Sequence, residues 1–280
     1  MLNNNYDFFL KKFLAFESGI DPAYYALYLE NYSKPIIIYP EVVLPGRVIR
    51  NFRTGEFNFK LMTYNEYFSA IGVNKYFKLK NLSCIPAMQY NSMNMLGFIG
   101  YQIGESILIS TDYYKPKQVN SYIDGREFIV DSYYYGAVPN LVWANGCTET
   151  LYQLPGTTKI ILATDINKWE GTFTGKDGLN NLSDLFRPEV QEKVIRGLMN
   201  YNYRYLVNLL NQKSYPLEKI LNSSSFTLSG ILAATHLVGS EAVANYLTLG
   251  TLAQDEFGTS LLKYLTDFSK YSISYSSELF

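Results

Sequence analysis

The chain has 280 residues, 48% hydrophobic and 18% charged, a balance that buries a sizeable core and excludes disorder over most of the length. A formal net charge of −1 and a pI near 6.0 leave no electrostatic case for nucleic acid or an anionic membrane as partner. The only cysteines, Cys84 and Cys147, define no disulfide framework and lack metal-ligand spacing; one disulfide and two separate buried thiols both stay open. From the N-terminus, Leu10, Phe13, Leu14 and Glu17 recur at i, i+3, i+4, i+7 and predict a helix over 6–17, with Glu17 in its last turn. Ser18-Gly19 supplies the stop, and Pro22 prevents continuation. A carboxyl placed there ends an apolar stripe and faces the negative pole of the helix dipole, and both effects favour its protonated form. Lys11 and Lys12 sit inside this stretch rather than ahead of it, so it does not read as a signal peptide. No run approaches the ~18 apolar residues of a membrane-spanning helix.

Residues 35–83 change character. Short apolar runs at Pro35–Tyr39 and Val42–Leu44 are broken by Pro40, Pro45 and Gly46, and Phe57–Leu61 alternates with period two; these predict short strands in a hairpin. Asn65 to Ile71 is expected to be helical and to end at Gly72, and Glu105 to Ile109 forms another expected helix. Residues 112–168, rich in Tyr, Pro and Gly, read as loops and short extended segments lining a surface. The chain then turns helical. Pro188 opens a helix that keeps its spacing through Val190, Val194, Leu198, Tyr201 and Tyr205 to about Asn211. Thr227 caps a helix that Gly239 stops, Ser240 caps the next, ending at Gly250, and Thr259 to Lys270 forms the last, with Leu262, Leu265 and Phe268 inward.

Three segments carry the chemistry: Phe16-Glu17-Ser18-Gly19, Asn94-Met95-Leu96-Gly97-Phe98-Ile99-Gly100-Tyr101-Gln102-Ile103-Gly104-Glu105, and Ala234-Thr235-His236-Leu237-Val238-Gly239. With Phe173-Thr174-Gly175-Lys176-Asp177-Gly178 and Phe257-Gly258-Thr259-Ser260 they resemble segments of the lysozyme-like superfamily. The likeness is to lytic transglycosylases, goose-type lysozymes and related bacterial and phage peptidoglycan hydrolases. It implies an α+β, mainly α fold: a single lysozyme-like helical domain over 1–280, with a β-containing insertion at about 21–88 and a loop-rich cleft region at about 112–168. It also implies a cofactor-free glycosidase acting on peptidoglycan glycan strands at the cell wall or periplasm.

In that resemblance Glu17 is the general acid/base at the bond between N-acetylmuramic acid and N-acetylglucosamine, and Glu105 is the rival acid. Gln102, Tyr101 and His236, the only histidine, shape the glycan subsite, and Tyr133, Tyr134 and Tyr135 are candidate walls for the sugar. Two departures stand out: 84 residues lie between Glu17 and Gln102, where relatives have far fewer, and Ile20 replaces a second glycine after Glu-Ser-Gly. The long insertion suits an alternative, a non-catalytic scaffold that binds glycan or a secretion-system or phage protein. Other chemistries lack their motifs. Gly171 to Asp177 is one residue short of a phosphate-binding loop, one His and two distant Cys make no zinc site, and no Gly-x-Ser-x-Gly turn is present.

Overall fold

A computed structural model of the chain describes residues 4–42, 57–123, 126–136, 143–144, 149–154, 157–255, 257–271 and 273. Helix accounts for about 51% and strand for about 17%, an α+β protein weighted towards helix. The chain divides into two compact units, Leu14–Glu192 and Met1–Phe13 with Lys193–Phe280.

The unit Leu14–Glu192 begins in the last turn of helix α1 (Asn4–Glu17). The expected insertion follows as α2 (Tyr25–Glu30), the antiparallel hairpin β1 (Ile37–Val42) and β2 (Phe57–Met62), then α3 (Tyr64–Ala70), α4 (Asn74–Phe77) and α5 (Ile85–Asn91). Helix α3 starts where a reciprocal cap forms: the Thr63 hydroxyl accepts the Glu66 N–H, and the Glu66 carboxylate accepts the Thr63 N–H at 2.8 Å. These elements pack around a core of Ile20, Tyr28, Phe68, Ile71, Val73, Phe77, Ile85 and Met88. Ile20 is fully buried in it.

Helix α6 (Glu105–Ser110) leads into β3 (Tyr114–Lys115), β4 (Lys117–Ile123), β5 (Arg126–Tyr133), β6 (Trp143–Ala144), β7 (Glu149–Gln153), β8 (Ile160–Thr164) and β9 (Thr172–Phe173). Strands β4-β5-β8-β7-β6 form one sheet, parallel only between β5 and β8, while β3 pairs with β9. Where the sequence predicts loops and short extended segments, the strands β4 to β8 of 112–168 join into a sheet. One face carries Val130, Leu151 and Leu162 with Val119 and Ile160, the other Tyr133, Tyr152, Ile161 and Ala163 with Ile109 and Leu154. A strand buried on both faces loses the polar–apolar alternation by which it is recognised, as the run Ile160-Ile161-Leu162 does.

The other unit holds the first residues of α1 and the later helices: most of α7 (Pro188–Gln212), α8 (Leu217–Ser223), α9 (Leu228–Leu249) and α10 (Leu261–Asp267). Thr227 caps α9 by accepting the Gly230 N–H, and the helix breaks at Gly239 (φ 80°, ψ 158°) before ending at a left-handed Gly250, as the sequence predicts. Helix α10 starts later than expected because Ser260 caps it; Leu261, Tyr264 and Leu265 point inward, and Leu262 is exposed. The core of this unit is aromatic: Phe9 packs on Phe13 and Phe268, and Phe268 on Tyr264 and Tyr271.

Candidate functional site

The C-terminal turn of α1 closes with the Ser18 N–H on the Leu14 carbonyl (2.9 Å) and the Gly19 N–H on the Phe16 carbonyl (3.2 Å). Gly19 is left-handed (φ 66°), and a β-carbon there would stand 2.6 Å from the Tyr67 hydroxyl, so both conformation and space demand glycine. Glu17 is half-buried, with its Oε1 enclosed. The inserted segment grips this turn: Gln89 Nε2 donates to the Ile20 carbonyl at 2.7 Å.

Asn94 organises the loop that follows α5. Its Oδ1 accepts the N–H groups of Leu96 (2.9 Å) and Phe98 (3.1 Å), an Asx turn. Ile99 and Ile103 exchange both backbone hydrogen bonds, so Gly100-Tyr101-Gln102 forms a tight tip. A β-carbon on Gly100 would collide with the Gln191 carboxamide. Gln102 is itself left-handed (φ 58°), a strained setting for a residue with a β-carbon. Its amide is held at both ends: Asn94 Nδ2 donates to Gln102 Oε1 at 2.6 Å, and Gln102 Nε2 donates to the Glu17 carbonyl at 2.9 Å. Two residues 85 positions apart therefore meet. From the insertion, the Tyr39 hydroxyl accepts the Met95 N–H at 3.1 Å.

The other expected site residues have different settings. Tyr101 is fully buried, and its hydroxyl donates to Glu192 Oε1 at 2.6 Å, the oxygen that also accepts from Tyr90 at 2.5 Å. Burial first, and the Glu192 carboxylate second, hold its phenol far above the usual range. It braces the loop from beneath and offers nothing to a sugar, which corrects its expected role as a substrate contact.

Glu105, at the first position of α6, is 2% exposed. Its Oε1 accepts the Trp169 N–H (2.8 Å) and the Tyr114 hydroxyl (3.1 Å), and its Oε2 the Tyr134 N–H (3.0 Å). Burial raises its pKa, against the lowering effect of the Tyr134 and Trp169 N–H groups. The Asn167 side chain, accepting the Glu105 N–H at 2.7 Å and donating to the Leu96 carbonyl at 2.8 Å, ties α6 to the Asn94 loop. Both Glu105 oxygens are spent on internal donors, an arrangement that staples three segments together and fits a structural carboxylate rather than an acid that must reach substrate.

Tyr133 (5% exposed) and Tyr134 (1%) are core residues, so neither walls a sugar; Tyr135, 37% exposed, is the one of the three that reaches the surface. Tyr133 and Tyr134 are successive residues that face opposite sides of the chain, and both sides are covered. His236 lies in the other unit, in the first half of α9, half-buried and edge-on to the Phe13 ring at 5.0 Å. The Thr174–Gly178 segment is a clasp. Lys176 Nζ donates to the Thr111 carbonyl (2.8 Å) and lies 4.3 Å from the Tyr113 ring, and Tyr113 donates to Asp177 Oδ2 (2.5 Å).

Cys84 is a free thiol, whereas Cys147 lies outside the described residues. Among the described residues no group of three His, Cys, Asp or Glu side chains is placed to hold a metal ion, and no single helix is long and apolar enough to cross a membrane. Sequence reasoning assigned no role to Asn94, Asn167, Trp169 or Glu192. Asn94 alone had a signal, an Asn shortly before a glycine, the mark of an Asx turn. The chain matches no protein-family model, no curated protein and no solved structure.

Proposed function

We propose that the protein is a lysozyme-like peptidoglycan glycosidase in which Glu17 is the general acid. Glu17 delivers a proton to the bridging oxygen between N-acetylmuramic acid and N-acetylglucosamine. It then receives one from the attacking group, either water or the muramic acid's own hydroxyl. The observation that carries the reading is the 2.9 Å hydrogen bond from Gln102 to the Glu17 carbonyl, which joins two of the segments on which the resemblance rests. Its support is otherwise from local chemistry: the half-buried carboxyl at a helix C-terminus, the strained Gln102 beside it, and an exposed Tyr135 for sugar stacking. Incubating purified protein with sacculi from a panel of bacteria tests it. Release of soluble muropeptides is expected, and none from any wall would defeat it.

One observation favours the second reading, a non-catalytic module that binds a protein partner. Ile36, Ile38, Phe59 and Leu61 are 46%, 69%, 55% and 55% exposed, a concentration of apolar surface on and beside the hairpin β1–β2. Under that reading the protein co-sediments with sacculi or a partner and releases nothing.

A further inference from the structure

We propose that Asn94 orients the Gln102 amide and through it fixes the carbonyl end of the Glu17 helix, so that Asn94 and Gln102 are positioning residues rather than sugar contacts. The inference rests on the reading of Glu17 as the acid.

The direction of the chain follows from which atoms can only donate and which can only accept. The N–H groups of Leu96 and Phe98 can only donate, so the Asn94 oxygen must face them, at 2.9 and 3.1 Å. That turns Asn94 Nδ2 towards Gln102, which must answer with its oxygen, at 2.6 Å. Gln102 Nε2 is then forced towards the Glu17 carbonyl, which can only accept, at 2.9 Å. Neither amide can flip without setting oxygen against oxygen or N–H against N–H. The recipient is one of the last carbonyls of α1, which have no partner inside the helix. Gln102 keeps this post at a backbone conformation (φ 58°) that glycine or asparagine would adopt more readily, so its side chain repays strain in its main chain. An amide engaged at both ends has little capacity left for substrate, while a fixed Glu17 backbone fixes the root of the carboxyl that must meet the glycosidic oxygen.

Asn94→Asp separates positioning from folding. It has the same shape and keeps the oxygen that accepts from Leu96 and Phe98, but it faces Gln102 with an acceptor. The Gln102 amide then turns its nitrogen to the new carboxylate and its oxygen to the Glu17 carbonyl, and the helix end is released. On sacculi, kcat is expected to fall about 100-fold, the scale of a misplaced catalytic group, with KM within about threefold. Amide hydrogen exchange at Ser18 and Gly19 is expected to accelerate, with the unfolding midpoint close to that of the wild type. Gln102→Met, similar in length and without hydrogen bonds, should show the same split, and the double variant should be no worse than Gln102→Met alone.

Wild-type kcat together with wild-type exchange in Asn94→Asp overturns the proposal. So does a Gln102→Met variant that raises KM and spares kcat, the signature of a sugar contact. If the wild-type protein releases nothing from sacculi, the acid reading fails. Exchange at Ser18 and Gly19 then decides the positioning chain alone: faster exchange in Asn94→Asp supports it, and unchanged exchange overturns it.

Discussion

Replacing Glu105 by Gln tests which carboxyl does chemistry and which holds the fold. The carboxylate accepts from Trp169 and Tyr114 on one oxygen and from Tyr134 on the other. Glutamine has one oxygen, so either the Trp169 or the Tyr134 N–H faces an NH2 group instead. A buried donor left without an acceptor costs about 1–3 kcal/mol. Relief from burying a carboxyl whose pKa burial already raises offsets part of this. A net loss of about 2 kcal/mol near neutral pH lowers the unfolding temperature by roughly 4–8 °C for a domain of roughly 150–250 residues.

The pH dependence has a definite sign. Glu105's folded-state pKa lies above its unfolded value, so its contribution is complete below the unfolded pKa and declines as pH rises through the folded one. The stability gap between wild type and Glu105→Gln should therefore narrow as pH rises through that window. Calorimetry across pH reads the stability, and muropeptide release at a temperature where the variant is folded reads the activity, which should stay within about threefold of wild type. An inactive Glu105→Gln with an unchanged unfolding temperature would refute the reasoning and make Glu105 the acid.

Tyr134→Ala should cost about 3–5 kcal/mol through the cavity it leaves, whereas Tyr135→Ala should stay within about 0.5 kcal/mol in stability and weaken glycan binding; urea titration and sacculus co-sedimentation separate the two. Asp184 is held below the usual carboxylate range, first by the Asn180 N–H at 2.9 Å and then by Arg187, so its contribution is present above the ordinary Asp pKa and lost as pH falls through the lowered one. Asp184→Asn should accordingly weaken the protein at neutral pH and flatten the loss of stability on acidification below about pH 4, read from urea midpoints.

Where local chemistry decides, the sequence was legible. The stripe of Leu10, Phe13 and Leu14 announced α1, Thr227 the cap of α9, and Gly239 a break that the backbone shows as φ 80°. Leu265 and Phe268 do face inward, but the buried stripe of α10 runs through Leu261, Tyr264, Leu265 and Phe268 at i, i+3, i+4, i+7, which leaves Leu262 off it. The extended segments expected in 112–168 join into a sheet that the pattern does not announce: β8 is buried along almost its whole length and does not alternate, while β4 and the start of β5 are largely exposed. Cover on both sides hides Tyr133 and Tyr134, which composition alone offers as sugar-binding rings. At the candidate site, motif resemblance singles out Glu17 and the glutamine loop separately. Their contact was not legible, because nothing local encodes a hydrogen bond between residues 85 positions apart. It depends on the intervening segment, which packs around a core that includes Ile20.

Glu17→Gln, assayed on sacculi beside the wild type, tests the central claim most directly. The substitution keeps shape and removes the transferable proton, and with the Gln102 bond made to the main chain, that anchor survives. Wild type is expected to release muropeptides, while Glu17→Gln still co-sediments with the walls and its release falls by about 10³-fold or more. Equal release by the two proteins would contradict the assignment of Glu17 as the acid.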